Sequence, residues 1–261
     1  MKKRKFNFPV QIISGLVIIS LAFFFIIGYI WKVLTTADFF AVKQVVVRNS
    51  DYQLEYLKGR NIFSLNLGYE AKRAYLSCPD CSKVRFARIL PNCIVVDFLK
   101  RKPVAWVKFY KIFAIDDHGV LFYPDEAAEG LELPVIYGLE TKIFAPKPGR
   151  SYRRPEINLA LNIIKGFKDN KSFGGFTLKR VDVADPDSAG FFLILPPQIS
   201  NFVAGKQPEE RGFQVHSGLN NISQKMMILG GLLIQERKEW ANIKYIDLRF
   251  KEPLIKFNNV K

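Results

Sequence analysis

The feature that most constrains this chain is a long apolar stretch near its beginning. The segment VQIISGLVIISLAFFFIIGYIW, from Val10 to Trp31, contains 22 residues and no charged side chain. At about 1.5 Å per helical residue it reaches roughly 33 Å, enough to cross the hydrocarbon core of a bilayer. The sequence therefore predicts a transmembrane helix over residues 10–31, after a basic tail at 1–9.

Two other interpretations of this stretch are open. A helix buried in a soluble core would show a polar stripe, and here Gln11, Ser14 and Ser20 are the few polar interruptions. A cleaved signal peptide has a shorter apolar part of about 7 to 15 residues. Residues Thr35 to Ala37 also match a cleavage site poorly. We therefore expect an uncleaved membrane anchor.

The charge distribution sets the expected orientation. Four basic residues at positions 2–5 precede the apolar stretch, and clusters of this kind stay in the cytoplasm. We expect the bulk of the chain to be extracytoplasmic. The formal net charge is +15, and eleven of these charges remain from Lys32 onward. Such a basic surface favours contact with anionic cell-wall or lipid groups.

No nucleic-acid partner is expected. The sequence contains no pattern typical of a recognition helix, a zinc finger or an RNA-binding domain. The predicted extracytoplasmic compartment holds little nucleic acid. The basic charge is therefore interpreted as a property of an envelope protein, or simply of a solvated surface.

The region after the apolar stretch predicts a small α+β domain. Phe40 to Asn49, rich in β-branched residues, is typical of a strand, YQLEYLKG of a short helix, NIFSLNL of an extended segment and YEAKRAYLS of a second helix. Two further strands, Val84 to Ile89 and Cys93 to Leu99, are separated by the turn signal LPN. A three-stranded sheet with two helices on one face would bury its apolar side in this length.

A second, larger domain is expected to follow. Two amphipathic helices are predicted by apolar residues at helical spacing, and their apolar faces should pack on a sheet. The spaced residues are Ile157, Leu161 and Ile164 in the first helix, and Ile222, Met226, Leu229 and Leu233 in the second.

Several motifs, taken in their order, resemble one bacterial family. They are FAVKQVVVRN, NIFSLNL, RILP (Arg88 to Pro91), RKPVAW (Arg101 to Trp106), AIDDHGVLF, LPVIYG and YIDLRF. This order is similar to that of the FtsQ/DivIB family of cell-division proteins, whose small domain is a POTRA domain. Lys100 departs from the pattern, because the family usually has an acidic residue there, and residues 196–213 are hard to align.

The resemblance implies an α+β fold: a single N-terminal transmembrane helix at 10–31, a POTRA domain at 39–102, a β domain with two helices at 103–257 and a tail at 258–261. It also implies a non-enzymatic scaffold without cofactors that recruits FtsB-like and FtsL-like partners and helps control septal peptidoglycan synthesis. The implied location is the inner membrane, spanned once, at the division septum.

Two alternative functions of another class are open. POTRA domains also dock polypeptides in secretion and outer-membrane protein assembly, but those relatives carry a downstream transmembrane β-barrel, and no series of about ten-residue amphipathic strands follows here. A membrane-anchored wall hydrolase is less favoured. The two histidines, His118 in DDHG and His216 in QVHSG, are both expected in turns, and no nucleophile elbow, metal-binding pair or phosphate loop is present.

The cysteines are candidates for a disulfide. Cys78 and Cys81 have redox-motif spacing, and Cys93 follows further on. Three thiols lack the fourth ligand of a structural zinc site, so no metal is expected. A redox role would require the motif to open a helix, whereas here it falls between a helix and a strand. A disulfide among these three, or free thiols, remain the two interpretations.

The end of the chain predicts a binding edge. In KYIDLRFKEPLIKF a strand up to Phe250 is followed by a turn at Lys251, Glu252 and Pro253, and by a second strand from Leu254 to Phe257. Few residues follow, so we expect the outer edge of the last strand to be free for a partner strand. The expected partner-binding residues are Phe250, Leu254, Ile255 and Phe257. The resemblance places the FtsB-like partner at the same strand.

Overall fold

The structure, a computed structural model, describes residues 10–125, 128, 130–185, 187–196 and 211–258. These residues form two compact units. One consists of the described residues up to Ser77 together with Cys81–Lys100, and the other of Cys78–Asp80 together with the described residues from Arg101 onward. The predicted basic tail at 1–9 and the last three residues lie outside the described part.

The apolar stretch forms one long helix, α1, Val10–Thr36. Within the described residues it is the one helix long and apolar enough to cross a membrane, over Ile13–Thr36 with a mean hydropathy of 2.5. No part of that window is buried in the protein. The helix ends at Thr36 and so extends beyond Trp31, where the sequence predicted its end.

The smaller unit contains a three-stranded sheet. Its strands are β1, Gln44–Arg48, β2, Cys81–Ile89, and β3, Cys93–Lys100, arranged in the order β1, β3, β2. β1 and β3 are parallel, and β2 and β3 form an antiparallel hairpin at the predicted LPN turn. Besides α1, this unit contains the α-helix α2, Leu67–Leu76. The predicted α+β architecture of the small domain is confirmed.

Two local predictions in the smaller unit were wrong. The segment expected as a first helix is a single 3-10 turn, Glu55–Leu57. The segment expected to be extended, Asn61 to Leu67, consists mainly of turns and the start of α2. The Asn61 side chain accepts a hydrogen bond from the Phe63 N–H at 2.9 Å, a local bond that competes with an extended backbone.

Asn61 also binds the end of α1. Its amide donates to the Leu34 carbonyl at 2.9 Å. The last carbonyls of a helix lack intrahelical partners, so this side chain satisfies one of them.

The larger unit contains a mixed sheet of nine strands in the described part of the chain. They are β4, Ala105–Lys108; β5, Ile112–Ile115; β6, Leu121–Phe122; β7, Val135–Tyr137; β8, Thr177–Asp182; β9, Ser188–Ile194; β10, Gly212–Gly218; β11, Ile243–Asp247; and β12, Leu254–Phe257. The order across the sheet is β12, β11, β10, β9, β8, β7, β4, β5, β6. The helices α3, Pro155–Asp169, and α4, Ile222–Gln235, belong to the same unit.

One face of this sheet packs against the two helices. A row of apolar side chains crosses six adjacent strands, and each is at most 1% exposed: Val107, Ile136, Val181, Phe191, Val215 and Ile246. These residues share a core with Ile157 and Ile164 of α3 and with Ile222, Met226, Leu229 and Leu233 of α4. The predicted packing of both apolar stripes on a sheet is confirmed.

A glycine in α4 has a packing reason that the sequence did not show. Gly230 is buried, and a Cβ atom there would lie 2.8 Å from the Asn170 side chain and 2.9 Å from Ser172. Such contacts are too close for any larger residue. The turn after α3 therefore requires glycine at this point of α4, although glycine weakens a helix by up to about 1 kcal/mol.

A buried ion pair organises the β5–β6 hairpin. The Arg101 guanidinium contacts the Asp116 carboxylate at 2.6 Å, and both side chains are at most 5% exposed. Asp116 also accepts hydrogen bonds from the N–H groups of His118 and Val120. The RKP and DDHG motifs, which are 15 residues apart, therefore meet in one structural cluster.

Candidate functional site

The last two strands form an antiparallel hairpin at one side of the large sheet. β11 pairs in parallel with β10, so it is a central strand, and β12 pairs with β11 through Ile246↔Ile255 and Asp247↔Leu254. A register shift between Ile243 and Tyr245 marks a bulge in β11. Apart from where the first strand ends, the hairpin agrees with the sequence prediction.

β12 is an edge strand. It stands at the end of the strand order, and no described residue pairs with its outer side. A strand in this position presents a row of unpaired N–H and C=O groups that can accept another strand. The described part of the molecule thus has an open main-chain edge at the place where the sequence predicted one.

The side chains of β12 divide between the two faces of the sheet. Leu254 is 55% exposed and Phe257 is 39% exposed, whereas Ile255 is half-buried and packs against the core. Because side chains alternate along a strand, Leu254 lies on one face and Ile255 and Phe257 lie on the other. An added strand could therefore contact an apolar side chain on each face.

Phe250 is not part of a strand, contrary to the prediction. β11 ends at Asp247, and the residues from Leu248 to Pro253 form the connection to β12. Phe250 is 57% exposed in this connection, whereas Leu248 is 2% exposed. The alternation of Ile246, Leu248 and Phe250 suggested one strand face, but the local chemistry of Asp247 ends the strand earlier.

That chemistry is a side-chain cluster at the turn. The Asp247 carboxylate accepts the Arg249 N–H at 2.9 Å and two bonds from the Arg249 guanidinium, at 3.0 and 2.7 Å. Because these donors stabilise the ionised form, the pKa of the buried Asp247 carboxyl lies below its ordinary value, although burial opposes the shift. Sequence reasoning missed this pair; the aspartate two residues before an arginine was the available signal.

Backbone contacts fix both ends of the hairpin. The Leu248 N–H donates to the His216 carbonyl at 2.7 Å, and the Asn258 N–H donates to the Asn242 carbonyl at 2.7 Å. His216 lies within β10, so its predicted position in a turn was wrong. Held in this way, β12 is a preformed edge.

The two histidines lie in different surroundings. His118 lies at the exposed tip of the β5–β6 hairpin, 3.7 Å from the Asp117 carboxylate, and both side chains are more than 70% exposed. The His216 ring packs edge-on against Tyr245.

The cysteines take two states in the structure. Cys78 and Cys81 are disulfide-bonded, and Cys93 is a free thiol. A disulfide sulfur has no thiolate to offer a metal. Cys78 follows the end of α2, and Cys81 is the first residue of β2.

These features define a class of protein. The described chain is a single-pass membrane protein with one N-terminal apolar helix, a small three-stranded α+β domain and a larger sheet domain with one open edge. Comparison with known proteins narrows this class further.

Four curated proteins match, all with the name cell division protein FtsQ. The protein from Koribacter versatilis is 26% identical over 198 residues, covering 75% of this chain and 52% of the relative. The one from Geotalea daltonii is 26% identical over 177 residues, covering 68% and 58%. The one from Anaeromyxobacter is 30% identical over 86 residues, covering 33% and 29%. No family model matches the chain.

The chain is thus similar to proteins of the FtsQ family, the family that the order of its motifs resembles. It spans between half and three fifths of the length of the first two relatives that it matches. The name that these relatives share is that of a cell-division protein.

Proposed function

We propose that this protein is a non-enzymatic divisome scaffold that recruits FtsB-like and FtsL-like partners and thereby helps control septal peptidoglycan synthesis. The observation that supports the proposal is the outer edge of β12, with which no residue in the described part of the chain pairs. The names of the relatives support the cell-division setting. The α1 helix would anchor the chain in the inner membrane with its N-terminus in the cytoplasm.

Partner binding would proceed by addition of a strand. The main chain of β12 would supply hydrogen bonds, which give affinity, and alternate side chains would give specificity. Leu254 is exposed on one face and Phe257 on the other. Ile255 would contribute less contact, because it already packs against the core. Phe250, in the adjoining connection, would contact the partner beyond the paired strands.

The main test is the variant Phe257→Glu. Binding hot spots cost about 2 kcal/mol or more when truncated, so the affinity for the partner should fall at least about thirtyfold. The affinity is measured by calorimetry with the full chain in detergent and an FtsB-like partner. Circular dichroism should show an unchanged fold.

Phe144→Glu is the matched control. Phe144 is 84% exposed in the same unit, and it does not lie on β12. We expect its affinity to equal that of the unmodified chain. Equal affinity of Phe257→Glu would contradict the proposed edge, and unfolding of Phe257→Glu would show that Phe257 belongs to the core.

Two further proposals concern location. A periplasm-active reporter should be active when fused after Lys261 and inactive when fused before Met1, and the reverse result would overturn the orientation.

The small domain is proposed to direct the protein to the septum. A chain lacking residues 39–102 should lose this localisation, and its continued presence at the division site would exclude that role.

A further inference from the structure

The small sheet is bonded directly to the end of α1, within one compact unit. The Asn61 side-chain amide donates hydrogen bonds to the carbonyls of Leu34, at 2.9 Å, and of Ala37, at 3.4 Å. Asn61 also pairs with Ala41 in an isolated antiparallel β-bridge. The chain therefore does not leave α1 as a flexible linker, because these bonds hold the first residues of the small unit against the last turn of the helix.

Strand β2 is bonded to the same segment. The Arg88 guanidinium donates to the Ile62 carbonyl at 2.8 Å and to the Leu65 carbonyl at 2.7 Å. The rings of Phe40 and Phe63 pack edge to face, with their centres 5.1 Å apart. The end of β2 is thus tied to the residues that contact α1.

Strand register places the β2–β3 turn at this end of the small sheet. Gln44 and Cys93, the first residues of β1 and β3, are paired, and Cys93 is also paired with Ile89, the last residue of β2. The Lys43 N–H donates to the Asn92 carbonyl at 2.8 Å. The turn therefore lies beside the chain that arrives from α1. We call residues 39–43 and 89–92 the α1-side end of the small unit.

Apolar side chains are exposed at the α1-side end. Phe39 is 65% exposed, Ile89 is 52% exposed and Leu90 is 58% exposed. Turns between strands are normally rich in polar residues, glycine and proline. Two adjacent aliphatic side chains in such a turn, each more than half exposed, are suited to a contact with an apolar environment.

Basic side chains accompany these apolar groups. Lys32, in the last turns of α1, and Lys43, just before β1, are both exposed. Among the described residues, neither lysine forms an ion pair with a carboxylate. Asp38 is the one acidic residue between them in the sequence. The α1-side end therefore combines apolar groups with a net positive charge.

The length of α1 indicates what covers this end. The apolar window Ile13–Thr36 has 24 residues, so it measures about 36 Å. This length exceeds the hydrocarbon core of about 30 Å but not the whole bilayer of about 40–45 Å. Thr36 therefore lies in the headgroup layer when α1 spans the membrane. Lys43 is two residues from Ala41, at most about 7 Å away, so the α1-side end remains near the lipid surface.

We propose that the α1-side end of the small unit rests on the lipid surface of the membrane that α1 spans. Ile89 and Leu90 enter the headgroup layer, and the ammonium groups of Lys32 and Lys43 bind phosphate groups of anionic phospholipids. The contact orients the small sheet, so that β1 and β3 run away from the lipid. The proposal rests on α1 as the membrane anchor of the proposed function, and not on partner binding at β12.

The test uses the full chain in lipid vesicles, with a nitroxide spin label on one introduced cysteine. Cys93 is the free cysteine of the described residues, so Cys93→Ser is the common background. The label is placed at Leu90→Cys, and at Leu76→Cys as the matched control. Leu76 is 72% exposed at the end of α2. It lies five residues before Cys81, which begins β2 at the opposite end of the small sheet.

Collision with a water-soluble nickel complex reports the exposure of each label to water. In vesicles containing phosphatidylglycerol, the label at Leu90→Cys should collide at least about threefold less often than the label at Leu76→Cys, because apolar groups partition into the lipid interface. Ile89→Cys is a second reporter of the same turn and should give the same result. A label at Phe24→Cys, in the middle of α1, should collide with oxygen and not with the nickel complex, which tests the membrane anchor independently.

The charge contacts are tested with the double variant Lys32→Gln with Lys43→Gln. The ratio of lipid-bound to water-exposed label at position 90 should fall at least about tenfold, because each basic residue near an anionic surface contributes a factor of about five. The matched control is Lys72→Gln with Lys83→Gln, two exposed lysines of the same unit away from the α1-side end. It should change the ratio less than about twofold, since charges farther from the surface are screened. Circular dichroism should be unchanged in all variants.

Several outcomes would overturn the proposal. Equal nickel collision rates at positions 90 and 76 would place the turn in water, and a water-exposed label at position 24 would exclude the anchor itself. Shielding at position 90 that is equal in phosphatidylcholine vesicles, or that persists in the Lys32 and Lys43 double variant, would exclude the phosphate contacts. Shielding that appears only at a high ratio of protein to lipid would assign this end to a second copy of the chain.

Discussion

The two edges of the nine-stranded sheet are protected very differently. At one edge, β6 is two residues long, both are buried, and the Leu121 backbone bonds to Arg150 and Gly149 of a neighbouring segment. At the other edge, β12 has four residues, three of them exposed, and no described residue covers it. One edge is closed by the fold and the other is left open.

This difference indicates which edge is available for binding. Open strand edges favour aggregation, and proteins commonly shorten, charge or cover them. The β6 edge is both short and covered. The β12 edge is preceded by Pro253 and contains Lys256, which restrict unwanted pairing without covering the main chain. Such an edge is suited to a selected partner strand.

The largest expected effect concerns the closed edge. Asp116→Ala leaves the buried Arg101 guanidinium without its carboxylate and removes Oδ1, the oxygen that accepts from two N–H groups of the β5–β6 hairpin. Loss of one partner of a buried ion pair costs about 3–5 kcal/mol. We expect this decrease in the free energy of unfolding, measured by urea denaturation of the full chain in detergent.

Asp117→Ala is the control for this prediction. Asp117 is the next residue, but its side chain is 74% exposed. Its removal should change the free energy of unfolding by less than about 0.5 kcal/mol. Equal effects of the two substitutions would show that the closed edge does not depend on the buried pair.

A smaller effect is expected at the turn before the open edge. Asp247→Asn removes the charge that binds Arg249, and we expect a loss of about 1 kcal/mol at neutral pH. The folded-state pKa of Asp247 is lowered, so its contribution is present above the unfolded value of about 3.9 and is lost as the pH falls through the folded value. The unmodified chain should therefore lose more stability on acidification than the variant.

Urea denaturation at several pH values measures this difference. Asp187→Asn is the control, since Asp187 is exposed in the same unit, and its pH dependence should match that of the unmodified chain. If Asp247→Asn retained the full acid sensitivity, the Asp247 and Arg249 pair would not stabilise the turn.

The smallest effect on stability is expected for Lys256→Leu. Lys256 is exposed on β12, and charged side chains hinder pairing between exposed edges. We expect a change of less than about 0.5 kcal/mol in unfolding free energy, together with increased self-association in light scattering. Lys244→Leu on β11, a strand paired on both sides, should remain unassociated. Association of both variants to the same degree would assign the effect to hydrophobicity alone.

Much of the fold could be predicted because local patterns carried the information. The apolar run predicted α1, the spacing of Ile157 and Ile164 predicted the buried face of α3, and Pro91 with Asn92 predicted the β2–β3 turn. In each case nearby residues impose the structure through hydrophobic periodicity or turn chemistry. The open strand Leu254–Phe257 was predicted in the same way.

Other features depended on side chains whose partners the pattern did not reveal. The alternation up to Phe250 suggested a longer strand, but Asp247 and Arg249 end it. The pattern after Asn61 predicted an extended segment, but the hydrogen bond from the Phe63 N–H to the Asn61 side chain favours a turn there. Hydrophobic periodicity indicates which residues share a face of a helix or strand. It does not indicate where side-chain hydrogen bonds to the backbone end that helix or strand early.

The sequence by itself determined the long apolar helix, the two-domain α+β organisation and the similarity to the FtsQ family, because these follow from apolar length, periodicity and motif order. Only the tertiary structure decided which strand edge stays open and which cations share a face. Strand order places β12 at the end of the sheet and β6 beneath Gly149 and Arg150, and a bulge directs Lys179 and Arg180 outward together. These outcomes depend on pairings between residues distant in sequence, which no local pattern encodes.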